Sequence, residues 1–277
     1  MRIAIAVGVA LLLAGCSSDG SDGGASAGPT TVAATTTTAV PTFAVDGEHE
    51  VDPNFRQGLA RSDDGWVFVT NQTLYRTDAD FAKVEEQPDA IPAELAVQGY
   101  DHMGDGDVAA VDGLLWVPVE RPDKDSGVQV TARFDPDTFD YVDSFEVAQH
   151  HNAFVTVDGD GVAYSADEFS DDTIVRYRVV DGTVEQLEPL RMSASIDRIQ
   201  GGDVAGGALW LSTDDDHNGV YRVDLVTGEV TDVGSAGRVA GEGEGIDAED
   251  GAPATLRVLV ADEDFVPMWV VELRPQP

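Results

Sequence analysis

Three of the five histidines, His102, His150 and His151, stand among carboxylates and amides at places that recur along the chain. The groups are Arg56 and Gln57; Asp101, His102, Asp105 and Asp107; His150, His151 and Asn152; Arg198, Gln200 and Asp203; and Glu242 and Glu244. Brought to one point, oxygens and imidazoles of this kind would hold a hard cation or a polar ligand, since calcium accepts about six to eight oxygens in irregular geometry. The plainer reading is that such loop residues bond to water and to neighbouring backbone. A second candidate is Asp214-Asp215-Asp216-His217-Asn218-Gly219, which has the Asp-x-Asp-x-Asn-Gly opening of a calcium loop with Asp214, Asp216 and Asn218 as ligands. Its closing glutamate is missing, Leu225 standing in that place, and Asn-Gly between two strands also reads as a tight hairpin turn. Gly241 to Gly245 lacks the strand and helix of a phosphate-cradling loop and carries two carboxylates. No Gly-x-Ser-x-Gly elbow, His-Glu-x-x-His helix or identifiable nucleophilic serine is present. One cysteine, Cys16, allows neither an internal disulfide nor a thiolate metal cluster.

Something must position these groups, and the apolar pattern says what. From about Phe43 onward the apolar runs are short, bounded by Asp-Gly, Asn-Gly and Asp-Pro, and only Pro92 to Gln98 has a weak helical pattern. Two elements alternate. The first pairs two short apolar strands across an Asp/Gly turn, with starts at Gly58, Asp107, Ala153, Asp203 and Gly245, spaced 49, 46, 50 and 42 residues. The second is an Arg-bearing strand, a turn and a Val-bearing strand, as in Tyr75-Arg76, Arg133-Phe134, Tyr177-Arg178 and Tyr221-Arg222. This is the period of a four-stranded propeller blade. The chain is therefore read as all-β, a β-propeller of five blades, with six as the alternative. The last unit supplies three strands, so the segment Thr42 to Val45 is predicted to complete that blade and close the ring. The first strand of each blade should line the channel, which puts the polar groups above at one mouth. Trp66, Trp116, Trp210 and Trp269 fall in or beside valine-rich strands and are expected to pack between blades.

Ahead of the propeller, Met1-Arg2, the apolar stretch Ile3 to Leu13 and Leu13-Ala14-Gly15-Cys16 follow the order of a secretory signal. Eleven apolar helical residues rise about 16 Å, too short for a bilayer. Leu13 to Cys16 resembles the lipobox of bacterial lipoproteins. That resemblance implies a signal peptide over 1–15, diacylation of Cys16 and anchoring to the outer face of a membrane. Residues 16–42 are rich in Ser, Gly, Ala and Thr and read as a flexible tether spanning about 28 Å, with the propeller over 43–277. Fifty-two acidic against 16 basic residues give a net charge of -36, with 36 Asp to 16 Glu and 14 Arg to 2 Lys. This excludes a nucleic-acid surface, while 42% hydrophobic residues support a packed core. Turns account for much of the Asp; the scarcity of Lys suggests work outside the cell at raised or variable salt.

The repeat resembles secreted bacterial propellers of the SMP-30/gluconolactonase-like and YncE-like quinoprotein types. In the former, a divalent ion at the channel mouth is held by Glu, Asn and Asp from different blades. The resemblance implies a metal set of Glu244 or Glu242, Asn152, and Asp203 or Asp107; the polar mouth read from the repeat adds His102, Asp105, His150, His151 and Glu242 toward a ligand. Five blades instead of six, and poor local matches, depart from that pattern. Asp224 to Gly228 resembles the Asp-x-x-Thr-Gly turn of quinoprotein propellers, but the tryptophan that usually follows is absent. The expected function is a monomeric, lipid-anchored propeller that binds a small molecule or envelope partner at its mouth, with calcium as the candidate cofactor. The alternative is a metal-dependent lactone or ester hydrolase.

Overall fold

Short strands of the kind the sequence dictates cannot bury both faces alone, and they do so by stacking as blades. The computed structural model describes residues 40–167, 172–249 and 255–276, apart from the side chain of residue 264. The signal, Cys16 and most of the tether lie outside the described residues. Among the described residues no helix is long and apolar enough to cross a membrane. Pro92 to Gln98 contributes one helical turn, Ala93–Ala96.

Five antiparallel four-stranded sheets form a five-bladed β-propeller, as the repeat predicts. From the inside out, blade 1 is Gly58–Ser62, Gly65–Val69, Leu74–Asp78 and Lys83–Gln87. Blade 2 has an interrupted inner strand, His102–Met103 and Asp107–Val108, followed by Leu115–Glu120, Gln129–Phe134 and Tyr141–Val147. Blade 3 is Thr156–Val157, Ala163–Ser165, Thr173–Val180 and an outer edge of Thr183–Gln186 with Leu190–Arg191. Blade 4 is Ile199–Ala205, Ala208–Thr213, Gly219–Asp224 and Val230–Ser235. Blade 5 joins Gly243–Ala248, Leu256–Ala261 and Met268–Pro275 to the N-terminal strand Phe43–Val51.

The second strands Leu115–Glu120, Ala208–Thr213 and Leu256–Ala261 are buried along their whole length, whereas the outer strand Lys83–Gln87 is mostly exposed. A strand covered on both faces by neighbouring blades needs a continuous apolar run; an outer strand needs charge. Apolar clusters fill the blade interfaces. Val67 and Val69 of blade 1 meet Val117 and Val119 of blade 2, and Trp116 and Phe145 of blade 2 meet Tyr177 of blade 3. Trp66 sits between blades 5 and 1, and Trp210 and Trp269 belong to the interface of blades 4 and 5. The tryptophans are thus packing elements.

Closure occurs where the sequence predicts it. Phe43, Ala44 and Val45 pair with Pro275, Arg274 and Leu273, and after a bulge the ladder continues to Val51 opposite Met268. The Phe43 ring meets Trp210 of blade 4 edge-on at 5.4 Å, so the first strand is bonded to one blade and packed against the next.

The axis is filled by one residue. Asp105 interrupts the inner strand of blade 2, and its Oδ1 accepts Leu59 N–H of blade 1 at 3.2 Å. Its Oδ2 accepts Gly202 N–H of blade 4 at 3.1 Å and Ile246 N–H of blade 5 at 3.3 Å. Its own amide donates to Ala153 at 3.0 Å and its carbonyl accepts from Val155 at 3.0 Å, both leading into blade 3. All five blades are therefore joined at Asp105. The approach requires glycine: a Cβ on Gly58 or Gly245 would lie 2.7 or 2.4 Å from Asp105 Oδ1.

Candidate functional site

The inner strands run in one direction, so each has a leading end at one face, the upper mouth, and a trailing end at the other, the lower mouth. At the upper mouth Gln57 of blade 1, His102 and Glu120 of blade 2, His151 and Asn152 on the way into blade 3, and Gln200 of blade 4 line one cavity of about 50 Å³ with Asp105 beneath. The sequence candidates His102, Asp105, His151 and Asn152, with Gln57 and Gln200, are thus brought together.

Each side chain has a local reason for its place. His102 lies opposite Glu120 in the antiparallel register of blade 2. The Glu120 carboxylate is paired with Lys124 and accepts the Asn152 N–H. His151 Nδ1 lies 3.9 Å from Glu120 Oε1, and the His151 N–H donates to Asp167 at 2.7 Å. Asn152 is fully buried; its Nδ2 donates to the Val130 carbonyl at 3.0 Å and its Oδ1 accepts from Ser165 Oγ at 2.8 Å. Burial holds both imidazoles below the ordinary histidine range; Glu120 opposes this at His102, and Lys124 reinforces it at His151. Both rings are therefore neutral near pH 7, each able to donate from one nitrogen and accept at the other.

Glu120 was not among the sequence candidates, which were sought only ahead of first strands. It ends a second strand, which antiparallel pairing returns to the same mouth. A carboxylate at the end of an apolar second strand recurs as Glu120, Asp167, Asp214 and Asp262, and this was the available signal. These acids hold the rim together: Asp214 pairs with Arg198, and Asp262 with Arg238 at 3.1 Å.

The remaining candidates lie elsewhere. Asp107 and Asp203 line the lower mouth. Glu244 is buried in the inner strand of blade 5, its carbonyl accepting from Ser212 Oγ. The set Asp107, Asn152, Asp203 and Glu244 does not meet. Glu242 is half-buried, its carbonyl accepting Ala261 N–H at 2.8 Å. His150 is exposed, with Nδ1 bonded to the Lys124 carbonyl at 2.8 Å. The Asp214 to Gly219 segment is the turn joining two strands of blade 4. Asp214 is engaged by Arg198, Asp216 is exposed, and Asn218 Nδ2 donates to the Gly237 and Arg238 carbonyls at 3.2 Å while its Oδ1 accepts Gly243 N–H at 3.1 Å. These contacts are those of a hairpin tied to the next blade.

The donors at the upper mouth do not fit a resident calcium ion. They include one carboxylate outside the axis, already balanced by Lys124, and the Asn152 oxygen is held by Ser165. Among the described residues no three His, Asp or Glu side chains are placed to grip one ion.

No family model and no curated protein matches the sequence. Among solved structures the chain is similar to a luciferin-regenerating enzyme, at 12% identity over 79% of this chain and 77% of that one, with a TM-score of 0.53. It is also similar to a gluconolactonase from Xanthomonas campestris, at 18% identity over 75% and 68%, TM-score 0.48. A bifunctional GH43-CE protein of Bacteroides eggerthii matches at 8% identity over 84% of this chain and 34% of that one, TM-score 0.52. At these identities the two matches with TM-scores above 0.5 speak for the fold alone. Fold and site together define a five-bladed propeller with a small polar cavity at the upper mouth.

Proposed function

We propose that this chain is an extracytoplasmic propeller, held to the membrane through a lipid on Cys16, that binds a small uncharged polar ligand at its upper mouth. One observation carries the binding: Gln57, His102, Glu120, His151, Asn152 and Gln200, from successive blades, line one cavity. Three amides and two neutral imidazoles offer donors and acceptors without net charge, and the Glu120 carboxylate is balanced by Lys124. Such a lining suits a hydroxyl- or carbonyl-rich group and disfavours an ionic one. The Leu13 to Cys16 motif supports the anchor.

Thermal unfolding of the full chain against a panel of sugars and sugar lactones tests this reading, because a ligand of the native state raises the midpoint with its concentration. A rise with one class, lost in Gln200→Ala and His151→Ala, is expected; no rise with any member would refute it. The hydrolase alternative is favoured by the His151 to Glu120 approach of 3.9 Å, an imidazole beside a carboxylate as in a general base. Acid release from a lactone or ester that is abolished in His151→Asn would establish that reading; ligand binding without turnover would exclude it.

A further inference from the structure

Asp105 closes the axis, so the lower mouth is a separate basin. It is large, about 1200 Å³, and acidic. Asp107, Asp203 and Asp247 come to its floor from blades 2, 4 and 5. Thr156 Oγ1 bridges Asp107 and Asp203 at 3.1 Å to each, Val157 N–H donates to Asp107 at 3.2 Å, and Ala248 N–H donates to Asp203 at 2.7 Å. These carboxylates are therefore fixed on strands, with little rotamer freedom left to lose on binding.

Asp247 differs from them. It is 6% exposed, lines the basin, and its Oδ2 accepts no hydrogen bond. The neighbouring cation, Arg257, keeps Nη1 3.6 Å away while its Nε donates to Glu272 at 2.9 Å. A buried carboxylate oxygen without a donor is costly, and a ligand N–H would relieve that cost. Further out, Asp63 and Asp64 are exposed on the rim, in the first turn of blade 1. The wall between is aromatic. Trp66, with Arg61 and Arg257 over its ring at 5.1 and 5.0 Å, and Phe81 line it.

We infer that the lower basin binds an aliphatic polyamine, with one ammonium donating to Asp247 on the floor and another reaching Asp63 and Asp64 on the rim. Several ammoniums along a flexible apolar stem match carboxylates spread from floor to rim across an aromatic wall. A metal ion needs them converged on one point, and the oxygens of Asp107 and Asp203 are already oriented by protein donors.

The test is calorimetric titration of the full chain, detergent-solubilised, with spermidine and separately with calcium chloride, at fixed ionic strength and at pH 8. Saturable 1:1 spermidine binding is expected, weakened at least tenfold in Asp247→Asn and several-fold in the double variant Asp63→Asn/Asp64→Asn. That second variant changes only exposed residues and keeps the test valid should Asp247→Asn unfold. His151→Ala, at the other mouth, is expected to leave the titration unchanged, so this inference and the upper-mouth reading fail separately. No saturable heat, equal binding by folded Asp247→Asn, or displacement of spermidine by equimolar calcium would each overturn it.

Discussion

At the residue scale the axial carboxylate is the most consequential group. Asp105 is fully buried, and burial holds its pKa well above the ordinary carboxylate range, making it a weaker acid, against the opposing pull of three backbone N–H donors. Asp105→Ala would leave those donors without an acceptor, so a loss of about 3 kcal/mol is expected, or about 10 °C in melting temperature for a domain of this size. Asp105→Asn keeps the shape and one acceptor oxygen, and calorimetry should place it between wild type and alanine. At the lower mouth, burial and the Asp203 charge push Asp247 up to about 7. A folded-state value above the unfolded one means that the native state holds the extra proton, so stability falls as pH rises from about 4 towards 7. Asp247→Asn removes that dependence. Denaturant unfolding should show the variant gaining on wild type between pH 5 and 7, by as much as about 1.4 kcal/mol per pH unit; a constant difference would show that Asp247 ionises freely. Individual side chains were partly legible. His102, His151 and Asn152 were found from position in the repeat, but Glu120 required knowing which strand returns to the same mouth.

At the element scale the repeat was read from second strands, whose continuous apolar runs are unmistakable, and the blade count and ring closure follow from them. Inner strands were harder to read. Gly104, Gly106, Gly201 and Gly202 leave no apolar signal, because blades meeting at a narrow axis leave no room for side chains: a Cβ on Gly202 would lie 2.4 Å from the Phe154 ring. The repeat starts were accordingly set at Asp107 and Asp203, whereas the inner strands begin at His102 and Ile199. Four or five residues of strand span about 13 to 17 Å, enough to move both aspartates from the upper mouth to the lower one and to disperse the expected metal set. The closing strand offers a direct test of its role. Phe43 is 6% exposed, between the last sheet and Trp210. Phe43→Ala should cost about 3 kcal/mol by cavity formation, whereas the exposed Val84→Ala, on the outer edge of blade 1, should be nearly neutral by the same denaturation assay.

At the scale of the whole molecule, charge governs more than contacts do. With 16 basic residues for 52 acidic ones, no arrangement of one-to-one pairs can balance more than a minority of the carboxylates. Many of the pairs lie across neighbouring strands of one blade, as in Arg76 with Glu85, Arg133 with Asp143 and Arg257 with Glu272, and others tie the upper rim, as in Arg198 with Asp214 and Arg238 with Glu48 and Asp262. The unbalanced remainder repels itself in the folded ring and would equally repel an anionic membrane surface, so the anchoring proposed above would have to come from a lipid and not from charge. Self-repulsion between exposed carboxylates reaches about 30 Å at 0.01 M salt and only about 3 Å at 1 M. The exposed pairs lost to the same screening contribute at most about 1 kcal/mol each. Relief of repulsion should therefore win, and the melting temperature of the full chain should rise by several degrees between 10 mM and 1 M sodium chloride. An uncharged osmolyte at equal osmolality separates screening from solute exclusion: the rise should be larger in salt. Equal melting temperatures at low and molar salt would mean that the acidic coat costs the fold nothing, and the case for a protein shaped by a salty exterior would lose its basis.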